Sequence, residues 1–177
     1  FVGNGVSKLL ERSMPKDKRT EENIALVRRH FMAYYDQHNA DLSTPYPGIA
    51  EMLSRLQEGG VMLAVASNKY QSATEKLVAH YFPHINFVCV LGQRPGIPIK
   101  PSPDIVHEIM EEANVGKSDT LYVGDSGVDM QTAINAGIDG VGVSWGFRPL
   151  AELASYNPRA IAKHADYLAE LVLLRQD

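Results

Sequence analysis

The stretch VMLAVASNKYQSATEKLVAHYFPHINFVCVL, residues 61–91, decides how this chain is built. It opens on an apolar run (61–66) of strand length, passes Ser67-Asn68-Lys69, takes on a helical pattern over 71–79 and returns to an apolar run at 87–91. Strand and helix in alternation are the signature of an α/β fold, a parallel sheet covered by helices on both faces. Downstream the alternation continues, with strands expected at 120–123 and 140–143, a weaker one at 165–167, and helices at 103–113 and 130–136. Upstream, Pro47 suits a first helical turn, Ile49, Met52, Leu53 and Leu56 share one face, and Gly59-Gly60 stop the helix.

The first third reads differently and holds no convincing strand. Thr20 is a candidate cap, Glu21 and Glu22 suit a helix start, and apolar residues recur at Ile24, Val27, Phe31, Tyr34 and Tyr35. That helix should end in the turn Asn39 to Asp41, and a shorter one precedes it over 6–10, beyond Pro15 and the charged loop 16–19. Residues 1–44 therefore form a helical satellite and 45–177 an α/β core, with no internal repeat or low-complexity stretch.

Composition excludes several classes. A net charge of −4 with mixed signs offers no basic stripe for nucleic acid. No apolar run spans a bilayer and no charged-then-apolar leader opens the sequence, so a cytoplasmic protein is expected. Cys89 is the single cysteine and lies in an apolar run, which reads as a buried small hydrophobe. The chain begins Phe1-Val2-Gly3 rather than with methionine, as a fragment or the ordered part of a longer protein would.

In open α/β sheets ligands bind beyond the carboxyl ends of the strands. Ser67, Asn68 and Lys69 follow the first expected strand, a glycine- and proline-rich loop leads from the second to Lys100, and Asp125 and Asp129 follow the third. Such a set suits a phosphate ester beside a divalent cation. Ser67 and the backbone N–H groups of a strand-to-helix turn can donate to phosphate oxygens. Lys100 supplies a compact positive charge for phosphoryl transfer. Asp125 is a hard oxygen ligand of the kind magnesium takes. Asp129, one helical turn on, is either a second ligand or an orienting partner for Lys100.

Ser67-Asn68-Lys69, Lys100-Pro101-Ser102-Pro103 and Gly124-Asp125-Ser126-Gly127-Val128-Asp129 together resemble the second, third and fourth motifs of the haloacid dehalogenase (HAD) superfamily, in order. Phe1-Val2-Gly3-Asn4-Gly5 and Gly142 to Arg148 are similar to its phosphoglycolate phosphatase branch. The resemblance implies a Rossmann-like core with a helical cap, here partial over 1–44, and a magnesium-dependent phosphomonoester hydrolase acting through an aspartyl-phosphate. By it, Asp125 coordinates Mg2+ and Asp129 supports the metal shell. Ser67, Asn68 and Lys69 bind the substrate, Lys100 steadies nucleophile and phosphate, and Gly3, Asn4 and Gly5 offer cap contacts to the substrate. The family's first motif, Asp-x-Asp, occurs nowhere in these 177 residues, so the nucleophile and its strand are missing from the core. The implied partner is a small phosphorylated metabolite, 2-phosphoglycolate foremost, handled by a monomer or homodimer.

Rival readings are a HAD-like binding or regulatory protein without catalysis, and a phosphoglucomutase- or pyrophosphatase-like member. Haloacid dehalogenases proper use no metal and lack the Gly-Asp-Ser-x-x-Asp segment. Other candidates read as structural. His80 and His84 have Pro83 between them, which breaks a helical metal pair. His107-Glu108 lacks the second histidine of a zinc-protease signature. Gly137, Gly140 and Gly142 serve a helix stop and close backbone approach, and Phe31, Tyr34 and Tyr35 fill the core of the helical satellite.

Overall fold

The computed structural model describes residues 5–174. Up to residue 38 the chain is helical, with α1 (Gly5–Ser13) and α2 (Glu21–His38). The Thr20 hydroxyl accepts from the Asn23 N–H at 3.2 Å, and Glu21 and Glu22 occupy the first turn, where the helix dipole favours negative charge. Then come α3 (Ile49–Glu58), β1 (Leu63–Tyr70), α4 (Gln71–Tyr81), β2 (Phe87–Gln93) and α5 (Asp104–Ala113). The chain continues through β3 (Leu121–Gly124), α6 (Gly127–Ala136), β4 (Asp139–Val143), α7 (Leu150–Ala154), β5 (Ala160–Ala162) and α8 (Ala165–Leu173). Among the described residues no helix is long and apolar enough to cross a membrane.

All strand pairings are parallel, but they form two half-sheets. β1 pairs with β2, Leu63 opposite Phe87 and Ala66 opposite Leu91. β4 lies between β3 and β5, with Leu121 opposite Asp139 and Val141 opposite Ala160. Among the described residues no strand pairs β1 with β3. The halves are joined by helices. On one side Ile105 and Val106 of α5 and Ala133 and Ala136 of α6 pack over Tyr122 of β3, Ala66 of β1 and Leu91 of β2. Elsewhere Met52 and Leu56 of α3 and Leu168 and Ala169 of α8 pack on Val141 and Val143, with Leu63 and Leu121 at the margin. Burying these side chains contributes roughly 1.5–3 kcal/mol each relative to exposure. A cavity of about 340 Å³ lies along β3 between Tyr46, Ile49, Met52, Val123, Asp125 and Trp145.

Two expectations need correction. Residues 165–167 are helix, not strand: the Tyr167 N–H donates to His164 Nδ1 and the Leu168 N–H to the His164 carbonyl, which starts α8. The fifth strand lies just before it and is only three residues long, too short for its pattern to register. Phe31, Tyr34 and Tyr35 do not form a core, since α2 buries no residue and Tyr34 is 67% exposed, stacked on His38 at 4.2 Å. Phe31 and Tyr35 are half-buried, stacked on each other at 5.2 Å, and Tyr35 meets the Tyr70 ring edge-on at 6.2 Å.

Other readings hold. α4 ends at Tyr81, before Pro83 and His84. Gly137 closes α6 at φ +70°, a left-handed conformation that favours glycine. Cys89, expected to be buried, is only half-buried, though burial, with Glu112 and Glu108 nearby, still pushes its thiol above the usual range.

Candidate active site

The end of β1 and the segments after β2 and β3 meet at one rim, because Lys100 reaches both Ala66 of β1 and Asp129 of α6. Lys100 is the best-determined of the rim residues. Its ammonium donates to Asp129 Oδ1 at 2.7 Å and to the Ala66 carbonyl of β1 at 3.0 Å, and lies 5.7 Å from the centre of the Tyr122 ring. Lys100 thus bridges the end of one half-sheet and the helix that follows the other. Burial works against its charge, but Tyr122 and Asp129 more than offset this and hold the amine's pKa above the ordinary lysine value.

The Asn68 side-chain amide donates to the Lys100 carbonyl at 3.1 Å, and its oxygen accepts from the Lys100 N–H at 2.8 Å, so it grips the backbone that carries the lysine. Ser67 lies beside it. Its Oγ accepts from the Lys69 N–H at 3.1 Å, and its own proton has no acceptor among the described residues.

Asp129 is buried and both its oxygens are occupied. Oδ1 takes Lys100 and, at 3.5 Å, the Tyr122 hydroxyl; Oδ2 takes the Ser126 hydroxyl at 2.6 Å. This is the geometry of an orienting partner for Lys100, the second role its spacing allowed. A side chain on Gly124 would run into Asp129, so that glycine is what lets the strand end approach.

Asp125 presents the opposite picture. Its Oδ2 accepts from the Phe147 N–H at 2.8 Å, which fixes the carboxylate, and Oδ1 has no donor among the described residues. The side chain lies tight over Gly146, where any Cβ would collide with it. One fixed, hard oxygen fits a magnesium-like ion that completes its shell with water and substrate oxygens. Among the described residues no group of three or more His, Cys, Asp or Glu gathers as a metal cage.

On the side of the rim nearest the first helices, Lys69 points to α2, its ammonium 2.5 Å from the Tyr35 hydroxyl and 4.7 Å from the ring centre. The Tyr70 hydroxyl donates to Asp36 at 2.6 Å. Gly5 opens α1 at φ +79°, and a side chain there would meet Gln93 and Ile99. Gly3 and Asn4 lie outside the described residues.

Residues 1–143 match the sequence profile of the family described as haloacid dehalogenase-like hydrolase. This chain belongs to that family. Among its relatives is a phosphoglycolate phosphatase of Mesorhizobium japonicum, 30% identical over 171 residues that cover 95% of this chain and 74% of the relative. A phosphoglycolate phosphatase of Vibrio parahaemolyticus is 29% identical, with 97% and 78% covered. A crystal structure from Lactobacillus delbrueckii subsp. bulgaricus, provisionally assigned as a phosphoglycolate phosphatase, superposes with a TM-score of 0.86 at 31% identity, covering 97% of this chain and 80% of that one.

For a haloacid dehalogenase-like hydrolase the rim also holds residues to which the sequence reading gave no role at the site. Ser126 caps α6 and binds Asp129, and its Ser-x-x-Asp spacing is a capping signature that could have flagged it. Glu152 accepts from the Gly127 N–H at 2.9 Å, Phe147 holds Asp125, and Tyr35 meets Lys69. None of these contacts has a local signal, because each joins elements far apart in the chain.

Proposed function

We propose that this protein is a magnesium-dependent hydrolase of small phosphomonoesters, with 2-phosphoglycolate as its substrate. The observation that carries the reading is Lys100: a buried ammonium, held charged by Asp129, on the rim that also carries Ser67 with an unspent proton and Asp125 with an open oxygen. In this reading Ser67 and backbone N–H groups seat the phosphate. Lys100 meets the negative charge that builds on the transferring group, a preorganised charge in a site largely closed to water. Asn68 and Asp129 hold Lys100 in place, and Asp125 holds the magnesium ion, which when bound neutralises phosphate charge.

The aspartyl-phosphate step needs a carboxylate that these residues do not supply at the rim. The unpaired edges of β1 and β3, with the apolar cavity beside β3, are of the form that receives one further parallel strand. We place the nucleophilic aspartate, and the general acid and base two residues on, at the end of such a strand. Residues 1–44 act as a cap that closes over the rim.

The test uses the complete protein with 2-phosphoglycolate and magnesium. Asp125→Asn should abolish metal-dependent phosphate release, and turnover equal to the unsubstituted protein would sink the metal assignment. A complete protein that binds phosphate yet turns over no ester would instead favour a binding or regulatory role.

A further inference from the structure

We propose that Lys69 and Tyr35 together bind a second negative group on the substrate, a carboxylate a few bonds from the phosphate, and so select phosphorylated acids over neutral phosphate esters. This rests on the phosphatase reading above and concerns what the site recognises beyond the phosphate.

Lys69 is two residues beyond Ser67, and the bond from its N–H to Ser67 Oγ folds both onto one turn. Lys100 approaches from the core, held by Ala66 and Asp129, whereas the Lys69 side chain leaves toward α2 on the opposite wall. An ester seated at Ser67 and Lys100 therefore extends its remaining atoms toward the Lys69 ammonium.

That ammonium is unusual in its surroundings. Lys8, Lys100, Arg94 and Arg159 each have a carboxylate oxygen within 2.7 Å, but among the described residues Lys69 makes no ion pair. Its partner is the neutral Tyr35 phenol, by hydroxyl and ring face. Asp36, the nearest acidic residue along α2, is taken by the Tyr70 hydroxyl. A phenol does not neutralise the ammonium as a carboxylate would, and two of the ammonium's three N–H donors remain. Tyr35 accepts from Lys69, and its own proton has no acceptor among the described residues. One positive charge and donors from two side chains converge there, the complement of a carboxylate's two oxygens.

The experiment compares kcat/KM for 2-phosphoglycolate and for p-nitrophenyl phosphate, an ester with no carboxylate, in the complete protein and its Lys69→Met and Tyr35→Phe variants. The ratio of the two values should fall at least about tenfold in Lys69→Met and about threefold in Tyr35→Phe, through KM rather than kcat, as loss of charge-assisted hydrogen bonds requires. Equal losses on both esters, as general damage to the fold would give, overturn the proposal. Turnover of p-nitrophenyl phosphate by the unsubstituted protein reports the phosphatase reading separately. If that turnover is absent, calorimetry with phosphonoacetate and methylphosphonate decides: Lys69→Met should weaken the first at least about tenfold more than the second, and equal weakening overturns the inference.

Discussion

The side chains of Lys100 and Asp129 are 11% and 9% exposed and 2.7 Å apart, so removing either leaves the other's charge buried without its partner. Asp129→Leu or Lys100→Met should each cost about 3–5 kcal/mol in urea unfolding, and the double variant should lose less than the sum. Equal additivity would show that the pair is not coupled. The pH dependence has a definite sign. The folded-state pKa of Lys100 is raised, so its contribution to stability is complete below the unfolded-state value of roughly 10 and is lost as pH climbs through the folded value. The unfolding midpoint of the native protein should therefore show no loss from this pair between neutrality and roughly pH 10, and a decline within that window would contradict the assignment. Asn68→Ala should cost about 1–3 kcal/mol and depress turnover, because it frees the Lys100 backbone. In the sequence, Ser67, Lys100 and Asp125 could be picked out as candidates because each follows an expected strand in a recognisable motif. The task of Asn68 was not legible, since an amide that grips a backbone looks the same in sequence as one that grips a phosphate.

Among elements, those whose start and stop are written in neighbouring residues were the legible ones. α2 begins where Thr20 and the two glutamates place it, and Thr20→Ala should cost about 1 kcal/mol, measurable as a lowered thermal midpoint. β1 and α4 follow the quoted stretch, although β1 runs on through Ser67 to Tyr70 because it pairs with β2 as far as Gln93. The misread segment at 165–167 failed for a local reason: a three-residue strand and a helix of small apolar residues present much the same composition, and only the His164 cap separates them. The turn after β4 sets the position of Asp125. Gly146→Ala should displace that carboxylate and weaken magnesium affinity, which titration of the complete protein with the metal would read, and unchanged affinity would remove Asp125 from the metal site.

At the scale of the molecule, two parallel half-sheets share helical layers but not a hydrogen-bond ladder. Among the described residues β1 and β3 each carry an unpaired edge, and Val123 on β3 is 40% exposed beside an apolar cavity. A polypeptide of these 177 residues alone should bind an apolar fluorescent dye and associate as its concentration rises, while a protein with a strand between β1 and β3 should do neither. A dye-silent monomer of the 177 residues would mean that the edges are covered in another way. By itself the sequence determined the alternation of strands and helices and the placing of each motif at a strand end, because hydrophobic period, caps and turn residues act over a few neighbours. Only the tertiary structure decided which partner each polar group takes. Lys100 with Asp129, Asn68 with Lys100 and Lys69 with Tyr35 are separated by 29, 32 and 34 residues. Such choices depend on which elements pack together and on which groups packing removes from water, and neither is written in any short stretch of chain.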